Sequence, residues 1–245
     1  AAHNMIGGGH ENESDGVYST IGGGSLNLCL GDGSFIGGGI QNNISGTTDV
    51  IAGGSNNIIE GNDNFIGGGI GNYTAGSTNT VGGGNSNGIM GTFGGVFSGE
   101  DNSIMSPSHS VVCGGGSNSI SSPDANYSSI LGGSNNNVSG EYATILNGSN
   151  QNAGASYVTI LGNMAASGTG TSTGWVTTDP LFVVGNGHNT TGGNSDAFVI
   201  FKDATAMTFA LWTGPGFAGP SDARLKTNVH TMESVSEKLR EIRGV

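Results

Sequence analysis

A repeat of fifteen residues is the feature that most constrains this chain. Aliphatic residues followed by Gly-Gly-Gly or Ala-Gly-Gly recur at that spacing, at Ile6, Ile21, Ile36, Ile51, Ile66 and Val81. A second series runs in phase with the first, at Gly16, Gly31, Gly46, Gly61, Gly76 and Gly91. Two residue types repeating in register over six periods indicate stacked supersecondary units, none of which buries its apolar side alone.

Each repeat has the pattern of two short strands and two turns. In the unit 49–63, the β-branched pairs Val50-Ile51 and Ile58-Ile59 are each followed by Gly, Asn or Asp. The chain has 49 glycines in 245 residues, a density that excludes helices and suits turns and close chain approach. The strict phase of the aliphatic residues argues against disorder. We therefore predict an all-β parallel β-roll over residues 1–163, with about ten or eleven coils stacked over about 50 Å.

The period slips between residues 92 and 129 and then returns. Met105-Ser106-Pro107 and Ser121-Ser122-Pro123-Asp124 contain the first prolines and are predicted to be loops extruded from lengthened coils. The fifteen-residue spacing resumes at Ile130, Ile145 and Ile160. Such insertions are natural places for variable contacts on an otherwise uniform surface.

The pattern changes again beyond the repeats. Residues 164–220 are predicted to be a Gly/Ser/Thr linker followed by a stem of longer strands, at 179–185, 196–201 and 205–211. Residues 221–245 are predicted to begin another domain with a C-terminal amphipathic helix, because apolar residues there are spaced 3, 4 and 3 apart, at Met232, Val235, Leu239 and Ile242. The first and last residues give the chain the look of a fragment or processed product.

Charge and cysteine content exclude several functions. Residues 1–221 contain one basic residue, Lys202, against fourteen acidic ones. Such a body repels nucleic acid and anionic lipid, and no apolar run predicts membrane insertion. Cys29 and Cys113 are too few for a disulfide framework, and since each follows aliphatic residues both are predicted to be small core side chains.

Residues 1–163 resemble the YadA-type head repeats of trimeric autotransporter adhesins, which also occur in bacteriophage fibres. The Ile-Gly-Gly-Gly blocks carry the resemblance, together with the second-strand pattern Asn-x-Ile-x-Gly, as in Asn57-Ile58-Ile59-Glu60-Gly61. That family forms left-handed parallel β-rolls in which three subunits pack around an axis. The resemblance therefore implies a left-handed, homotrimeric solenoid.

Residues 221–245 are similar to the opening of the self-cleaving intramolecular chaperone domain that ends phage tailspikes, tail fibres and endosialidases. The similarity lies in Ser221-Asp222-Ala223-Arg224-Leu225-Lys226-Thr227-Asn228. It implies trimerisation, assisted folding and then cleavage of the Ser221–Asp222 bond. Ser221 is the predicted nucleophile and Lys226 its base, because a lysine of lowered pKa can deprotonate a serine. The other positions of this motif are Asp222, Arg224, Leu225 and Asn228.

Other candidate sites are weaker. The five histidines lack metal-type spacing, and the oxygen-rich clusters Glu60-Asn62-Asp63 and Glu100-Asp101-Asn102 have the composition of ordinary turns as well as of calcium ligands. We therefore predict no metal site, and no cofactor or phosphate-binding loop either. Glycan hydrolysis needs paired carboxylates, which the repeats do not show. The remaining candidates are aromatic residues, which suit either sugar stacking or subunit packing: Trp175, Trp212, Tyr18, Tyr73, Tyr127, Tyr142 and Tyr157.

The pattern as a whole predicts a structural and adhesive fibre segment of a phage tail, located in the virion. Its expected partners are two further copies of the chain, other virion tail proteins and a host cell-surface glycan or protein. Beyond self-cleavage no enzymatic activity is expected. The alternatives are a bacterial trimeric adhesin, which the motif at 221–228 opposes, and a monomeric ice-binding solenoid, for which the threonines are too irregular.

Overall fold

The structure, a computed structural model, describes residues 3–105, 107–187 and 193–207. In this part the chain is an all-β parallel solenoid of about 11 turns, each of about 15 residues. Each turn of the solenoid, called a coil below, contributes one short strand to each of two sheets. The predicted all-β parallel solenoid and its repeat length are therefore confirmed, while its left hand and its association into trimers stay predictions.

The two sheets run along the solenoid, and successive coils pair in parallel at a step of fifteen residues, as in Val50 with Phe65 and Ile58 with Tyr73. Sheet A comprises β1 (Met5–Ile6), β3 (Thr20–Ile21), β5 (Phe35–Ile36), β7 (Val50–Ile51), β9 (Phe65–Ile66), β11 (Thr80–Val81), β13 (Gly95–Val96), β15 (Val111–Val112), β17 (Ser129–Ile130), β19 (Thr144–Ser149), β21 (Thr159–Asn163), β22 (Pro180–Asn186), β23 (Asp196–Phe201) and β24 (Ala206–Met207). Sheet B comprises β2 (Glu13–Ser14), β4 (Leu28–Cys29), β6 (Asn43–Ile44), β8 (Ile58–Asn62), β10 (Tyr73–Ser77), β12 (Gly88–Ile89), β14 (Ser103–Ile104), β16 (Ser119–Ile120), β18 (Asn137–Val138) and β20 (Asn152–Ala153).

The lengthened coils lie where the period slips. Val111 pairs with Gly95 at a step of sixteen residues, and Ser129 pairs with Val111 at a step of eighteen. Because the strands stay in register across both steps, the extra residues are accommodated outside the sheets. The prediction of an extruded loop is confirmed before Tyr127, where Ser121, Pro123 and Asp124 are exposed; before His109 the coil gains a single residue and Pro107 is buried.

The apolar core is a thin double row. Each coil points one side chain inward from sheet A and one from sheet B, such as Ile51 and Ile59, both fully buried. Cys29 occupies such an inward position, as predicted. The prediction for Cys113 is wrong: Val112 is the inward residue of that strand, so the next residue points outward, and Cys113 is half-buried.

A column of amides fills the space beside the sheet B core. Its members recur immediately before the sheet B strands, at Asn12, Asn27, Asn42, Asn57, Asn72, Asn87, Asn102, Asn118 and Asn136. Within this interior amide column, Nδ2 of Asn57 lies 3.0 Å from Oδ1 of Asn42 and 3.1 Å from the carbonyl oxygens of Gly53 and Gly69. Oδ1 of Asn57 accepts hydrogen bonds from the backbone and side chain of Asn72, at 3.0 and 3.1 Å. One amide thus satisfies polar groups of its own coil and of both neighbours.

Glycine is required where adjacent coils touch. Gly54 has a φ of +91°, and a Cβ there would overlap the backbone of Gly69 in the next coil and lie 2.7 Å from Nδ2 of Asn57. Any larger residue would therefore separate the coils and break the interior amide column. The glycine repeat and the asparagine repeat are two sides of one packing constraint.

A second polar column precedes the sheet A strands, and it contains a buried carboxyl. Oδ1 of Asp49 accepts hydrogen bonds from the backbone and side chain of Asn64, at 2.8 and 3.2 Å, while Oδ2 has no partner. A Cβ added at Gly46 would overlap the carbonyl oxygen of Gly61 and lie 2.5 Å from Oδ2, so these two oxygens face each other. In the next coil the corresponding atom, Nδ2 of Asn64, donates to the carbonyl of Gly76. A protonated Asp49 can make the same hydrogen bond, whereas a carboxylate cannot.

Residues 164–207 pack on the last coil. Gly154 and Ala155 donate backbone hydrogen bonds to Gly168, and Ser156 donates to Thr171. Strand β22 then continues sheet A in parallel with β21, and β23 and β24 add to it as antiparallel strands. The strands predicted at 179–185 and 196–201 are present as β22 and β23. The predicted helix around Met232–Ile242 lies outside the described residues.

The unpartnered oxygen of Asp49 predicts a pH-dependent stability. Burial is the main cause that raises the pKa of this carboxyl to about 6, and the Asp63 charge adds to it, while hydrogen bonds from Asn64 oppose it. The folded chain therefore holds this proton to a higher pH than the unfolded chain does. The free energy of unfolding therefore decreases as the pH rises from about 4 through about 6. Above that range the contribution of this proton is absent and the free energy of unfolding no longer depends on it.

The substitution Asp49→Asn, which supplies a permanent donor, should stabilise the solenoid at pH 8 by about 2–3 kcal/mol. The gain should shrink as the pH falls towards 5, and chemical denaturation at a series of pH values measures it. Asp124→Asn removes an exposed carboxylate and serves as the control, with little expected change. A constant difference between Asp49→Asn and wild type from pH 5 to 8 would contradict this assignment.

Candidate functional surfaces

The residues predicted to cleave the chain cannot be placed. Ser221 and Lys226, with the motif residues Asp222, Arg224, Leu225 and Asn228, lie outside the described residues, as do Trp212, His188 and His230. The self-cleavage reaction therefore remains a prediction from sequence similarity.

One oxygen each of Glu60, Asn62 and Glu100, in the two acidic clusters, accepts a hydrogen bond within the protein. Oε2 of Glu60 accepts a hydrogen bond from the Tyr73 hydroxyl at 2.8 Å, and Oδ1 of Asn62 accepts one from the backbone of Thr47 at 3.1 Å. Oε1 of Glu100 accepts one from Asn85 at 3.2 Å. Within residues 3–105, 107–187 and 193–207, no three His, Cys, Asp or Glu side chains converge as metal ligands would.

The outer face of sheet A carries no charge. In each coil, the residues just before and just after the inward aliphatic residue lie on this face, so that it consists of two columns. The first is Met5, Thr20, Phe35, Val50, Phe65, Thr80, Gly95, Val111, Ser129, Thr144, Thr159 and Phe182; the second is Gly7, Gly22, Gly37, Ala52, Gly67, Gly82, Phe97, Cys113, Leu131, Leu146, Leu161 and Val184. On a chain with a net charge of −12, a continuous uncharged strip along a stack of about 50 Å is a distinct surface.

Several large apolar side chains on this face are exposed to solvent. Phe97 is 54% exposed, Leu131 48% and Leu146 40%; all three lie in the second column, where the half-buried Cys113 separates Phe97 from the two adjacent leucines. Beside Leu146 and Leu161 lies an open depression of about 400 Å³. Contiguous exposed apolar surface of this kind marks interaction sites in soluble proteins. The outer face of sheet B differs, because its outward positions include acidic residues such as Glu13, Asp15 and Glu60.

A row of stacked rings runs along the turns that lead into sheet A. This aromatic column consists of Phe93, His109, Tyr127, Tyr142 and Tyr157, one from each of five successive coils. Consecutive ring centroids are 4.7–5.1 Å apart, with interplanar angles of 5–20°. Desolvation, followed by the Glu141 charge, raises the pKa of the Tyr142 phenol, so the hydroxyl is neutral at physiological pH.

The other predicted aromatic residues lie elsewhere. Tyr73 points out from sheet B, and Tyr18 stacks on His3 at 5.3 Å near the beginning of the chain. Trp175 lies next to the last ring of the aromatic column but is not stacked on it, because its ring is tilted by 57° against that of Tyr157. The fifteen-residue spacing of Tyr127, Tyr142 and Tyr157 is the sequence signal for the column. Phe93 and His109 do not follow that spacing, because the coils between them and Tyr127 have sixteen and eighteen residues.

Lys202 holds the end of the solenoid together. Its Nζ is buried, donates a hydrogen bond to Oγ of Ser156 at 3.2 Å and lies 3.9 Å from Oδ2 of Asp179. The same nitrogen lies 5.3 Å from the Trp175 ring centroid and 5.7 Å from that of Tyr157. Burial lowers the pKa of Lys202, and the Asp179 charge opposes that change. The one basic residue in 1–221 is therefore a structural contact rather than a surface charge.

No protein-family model matches the chain, and no curated protein matches it. In the ranges that the structure describes, no helix is long and apolar enough to cross a membrane.

The contacts of Lys202 predict that Lys202→Met destabilises the segment 164–207. Methionine keeps an apolar stem, but it leaves the Asp179 carboxylate without its cation, at a cost of about 2–4 kcal/mol. Hydrogen exchange of the backbone amides in β22 and β23 measures the loss. The double variant Lys202→Met/Asp179→Asn should recover much of it; equal losses in the single and double variants would contradict the pairing.

Proposed function

We propose that this chain is a structural and adhesive segment of a phage tail fibre, in which three copies associate along the outer face of sheet A. The single observation that carries the proposal is that face: two columns of residues, uncharged over the eleven coils and strand β22, on an otherwise acidic protein. Acidic surfaces repel one another, and association between identical copies therefore requires a strip from which charge is absent. The exposed leucines supply apolar area for burial between copies.

The dimensions of the solenoid suit a fibre. Each coil buries only one inward side chain from each sheet, so a single stack has little apolar core for its length. Burying the outer face of sheet A between copies adds to that core without adding residues. Two sheets of parallel strands run the length of the stack and give a stiff rod, and the lengthened coils before His109 and Tyr127 supply surface variation for recognition.

The similarity of residues 221–228 to the self-cleaving chaperone supports a phage fibre over a bacterial adhesin. An ice-binding solenoid needs a regular array of threonines on a flat face. The first outer column of sheet A has threonine at positions 20, 80, 144 and 159, interrupted by Phe35, Val50 and Phe65, which favours association over ice binding. The proposed partners are thus two further copies, neighbouring virion tail proteins and a host cell-surface glycan or protein.

A charge placed on the outer face of sheet A should dissociate the fibre. Leu131→Glu introduces a carboxylate at a side chain that is 48% exposed, and Met90→Glu introduces one at a sheet B side chain that is 50% exposed. Native mass spectrometry should find trimers for wild type and for Met90→Glu, and monomers for Leu131→Glu, because a buried unpaired charge costs several kcal/mol. A monomeric wild type would refute the proposal, and equal behaviour of both variants would place the interface elsewhere.

Self-cleavage is tested on protein expressed from the complete gene. Denaturing mass spectrometry should find wild-type chains that end at Ser221 and uncut chains for Ser221→Ala and for Lys226→Met, since the nucleophile and its base are both needed. Ser234→Ala changes a nearby serine outside the motif and should be cut as wild type is. An uncut wild type would remove the peptidase role and leave the fibre proposal standing.

A further inference from the structure

The aromatic column is not explained by stability. All five of its residues have left-handed backbone, with φ between 54° and 60°. Bulky residues rarely adopt this conformation, which costs on the order of 1 kcal/mol or more for each. A stacked aromatic pair returns about 0.5–1.5 kcal/mol, so the two effects roughly cancel. Glycine or asparagine would fill these turns at a smaller conformational cost.

A second series of turns in the same coils provides an internal comparison. It also has left-handed backbone, but most of its residues are small or polar: Glu11, Leu26, Gln41, Asn56, Gly71, Ser86, Asp101, Ser117, Asn135 and Asn150. Among the turns of these two series, aromatic side chains thus occur on one side of the solenoid only. They form an unbroken run only in the five coils from Phe93 to Tyr157. An accumulation of exposed rings at conformationally unfavourable positions points to a surface that is used.

The aromatic column exposes uncharged groups, some of which are polar. The rings cover one another's faces, so the column presents ring edges and the hydroxyls of Tyr127, Tyr142 and Tyr157. Whereas the Tyr73 hydroxyl donates to Glu60, these three hydroxyls form no hydrogen bond within the described residues. A phenol both donates and accepts, and ring edges carry partial positive charge that attracts oxygen atoms. A ligand rich in uncharged hydroxyl groups matches these properties.

The electrostatics exclude polyanions from this column. Lys202 is the one lysine or arginine in the described ranges, and its side chain is buried. Glu141 adjoins Tyr142, and the chain carries a net charge of −12. An acidic polysaccharide or a nucleic acid would meet repulsion without a compensating cation.

The geometry of the column favours an extended chain as the ligand. The rings repeat every 4.7–5.1 Å, and one sugar unit of an extended polysaccharide has about the length of this strand spacing, ~4.8 Å. The additional residues of the lengthened coils precede the rings directly in sequence: in the longer coil residues 122–125 lead into Asn126, which accepts a hydrogen bond from the Ser108 backbone at 2.8 Å, and then into Tyr127. These loops break the uniformity of the solenoid next to the rings.

We propose that the aromatic column of Phe93, His109, Tyr127, Tyr142 and Tyr157 binds an extended neutral polysaccharide, with one sugar unit for each coil. The proposal rests on the adhesive role of the fibre and names the class of receptor for it. The ligand lies along the solenoid axis, and the tyrosine hydroxyls donate to and accept from its hydroxyl groups. Binding to several rings in a row makes the affinity depend on the length of the glycan.

The test uses the intact protein and a printed array of hexasaccharides. The neutral probes are β-glucan, mannan, galactan and poly-N-acetylglucosamine fragments, and the acidic probes are oligosialic acid and oligogalacturonate. We expect binding to at least one neutral hexasaccharide, weaker binding to its disaccharide, and no binding to the acidic probes. An array without neutral binding, or one on which acidic probes bind better, would overturn the proposal.

A pair of variants then localises the binding. Tyr142→Asn removes a ring but keeps a residue that tolerates left-handed backbone, as Asn135 and Asn150 do in the other turns. This substitution should lower the affinity for the neutral hexasaccharide by about tenfold or more. The control Tyr73→Asn, outside the column, should stay within about twofold. Unchanged affinity in Tyr142→Asn would also overturn the proposal.

Native mass spectrometry of the same samples separates this proposal from the fibre proposal. A monomeric wild type that binds neutral glycan would refute the trimer and keep the binding column. A trimer that Tyr142→Asn dissociates, without glycan binding in the wild type, would instead assign the rings to the contact between copies and overturn the proposal.

Discussion

The interior amide column is the interaction on which this fold depends. Parallel coils at one strand spacing leave backbone carbonyls facing the interior, and two inward aliphatic side chains per coil cannot cover them. An asparagine precedes nine of the ten sheet B strands and donates to carbonyls of its own coil and of the next, as Asn57 does to Gly53 and Gly69. Buried polar groups of this kind are costly unless they are paired. Glycine at positions such as Gly54 follows from the same constraint, because the amides reach only if the coils touch.

Because interior contacts hold the coils together, the residues on the outer surface can vary without loss of the fold. The inward positions of the sheet A coils alternate only between isoleucine and valine, whereas the outward positions of sheet A change from glycine to leucine along the chain, as at Gly82 and Leu131. The turns likewise change from Thr48 and Asp63 to the aromatic column. Association and recognition are therefore properties of surface columns, which vary without disturbing the stack.

The architecture could be predicted from the sequence because the repeat is strict. The surfaces could be predicted less well, because they depend on which way each side chain points, and the sequence does not show that directly. The inward row could be read from Ile6 onwards, but Cys113 was misplaced because a local apolar run does not tell which of its residues faces in. The amide column was visible only as a repeated Asn, without its hydrogen bonds. Stacking of His109 between Phe93 and Tyr127 requires coils of sixteen and eighteen residues to stay in register, which only the paired strands establish. The composition of the turn around Glu60 and Asn62 does not tell that both side chains accept hydrogen bonds from neighbouring coils, which depends on the stacking of the coils.

The most direct test of the account is the free energy of unfolding of Asn57→Ala measured against Ser55→Ala in the same coil. Asn57 is fully buried and its amide serves two neighbouring coils, whereas Ser55 is only half-buried. We expect a loss of about 2–4 kcal/mol for Asn57→Ala, since several buried polar groups lose their partners, and a change within about 0.5 kcal/mol for Ser55→Ala. If Asn57→Ala were tolerated as well as Ser55→Ala, the interior amides would not be what holds the coils together.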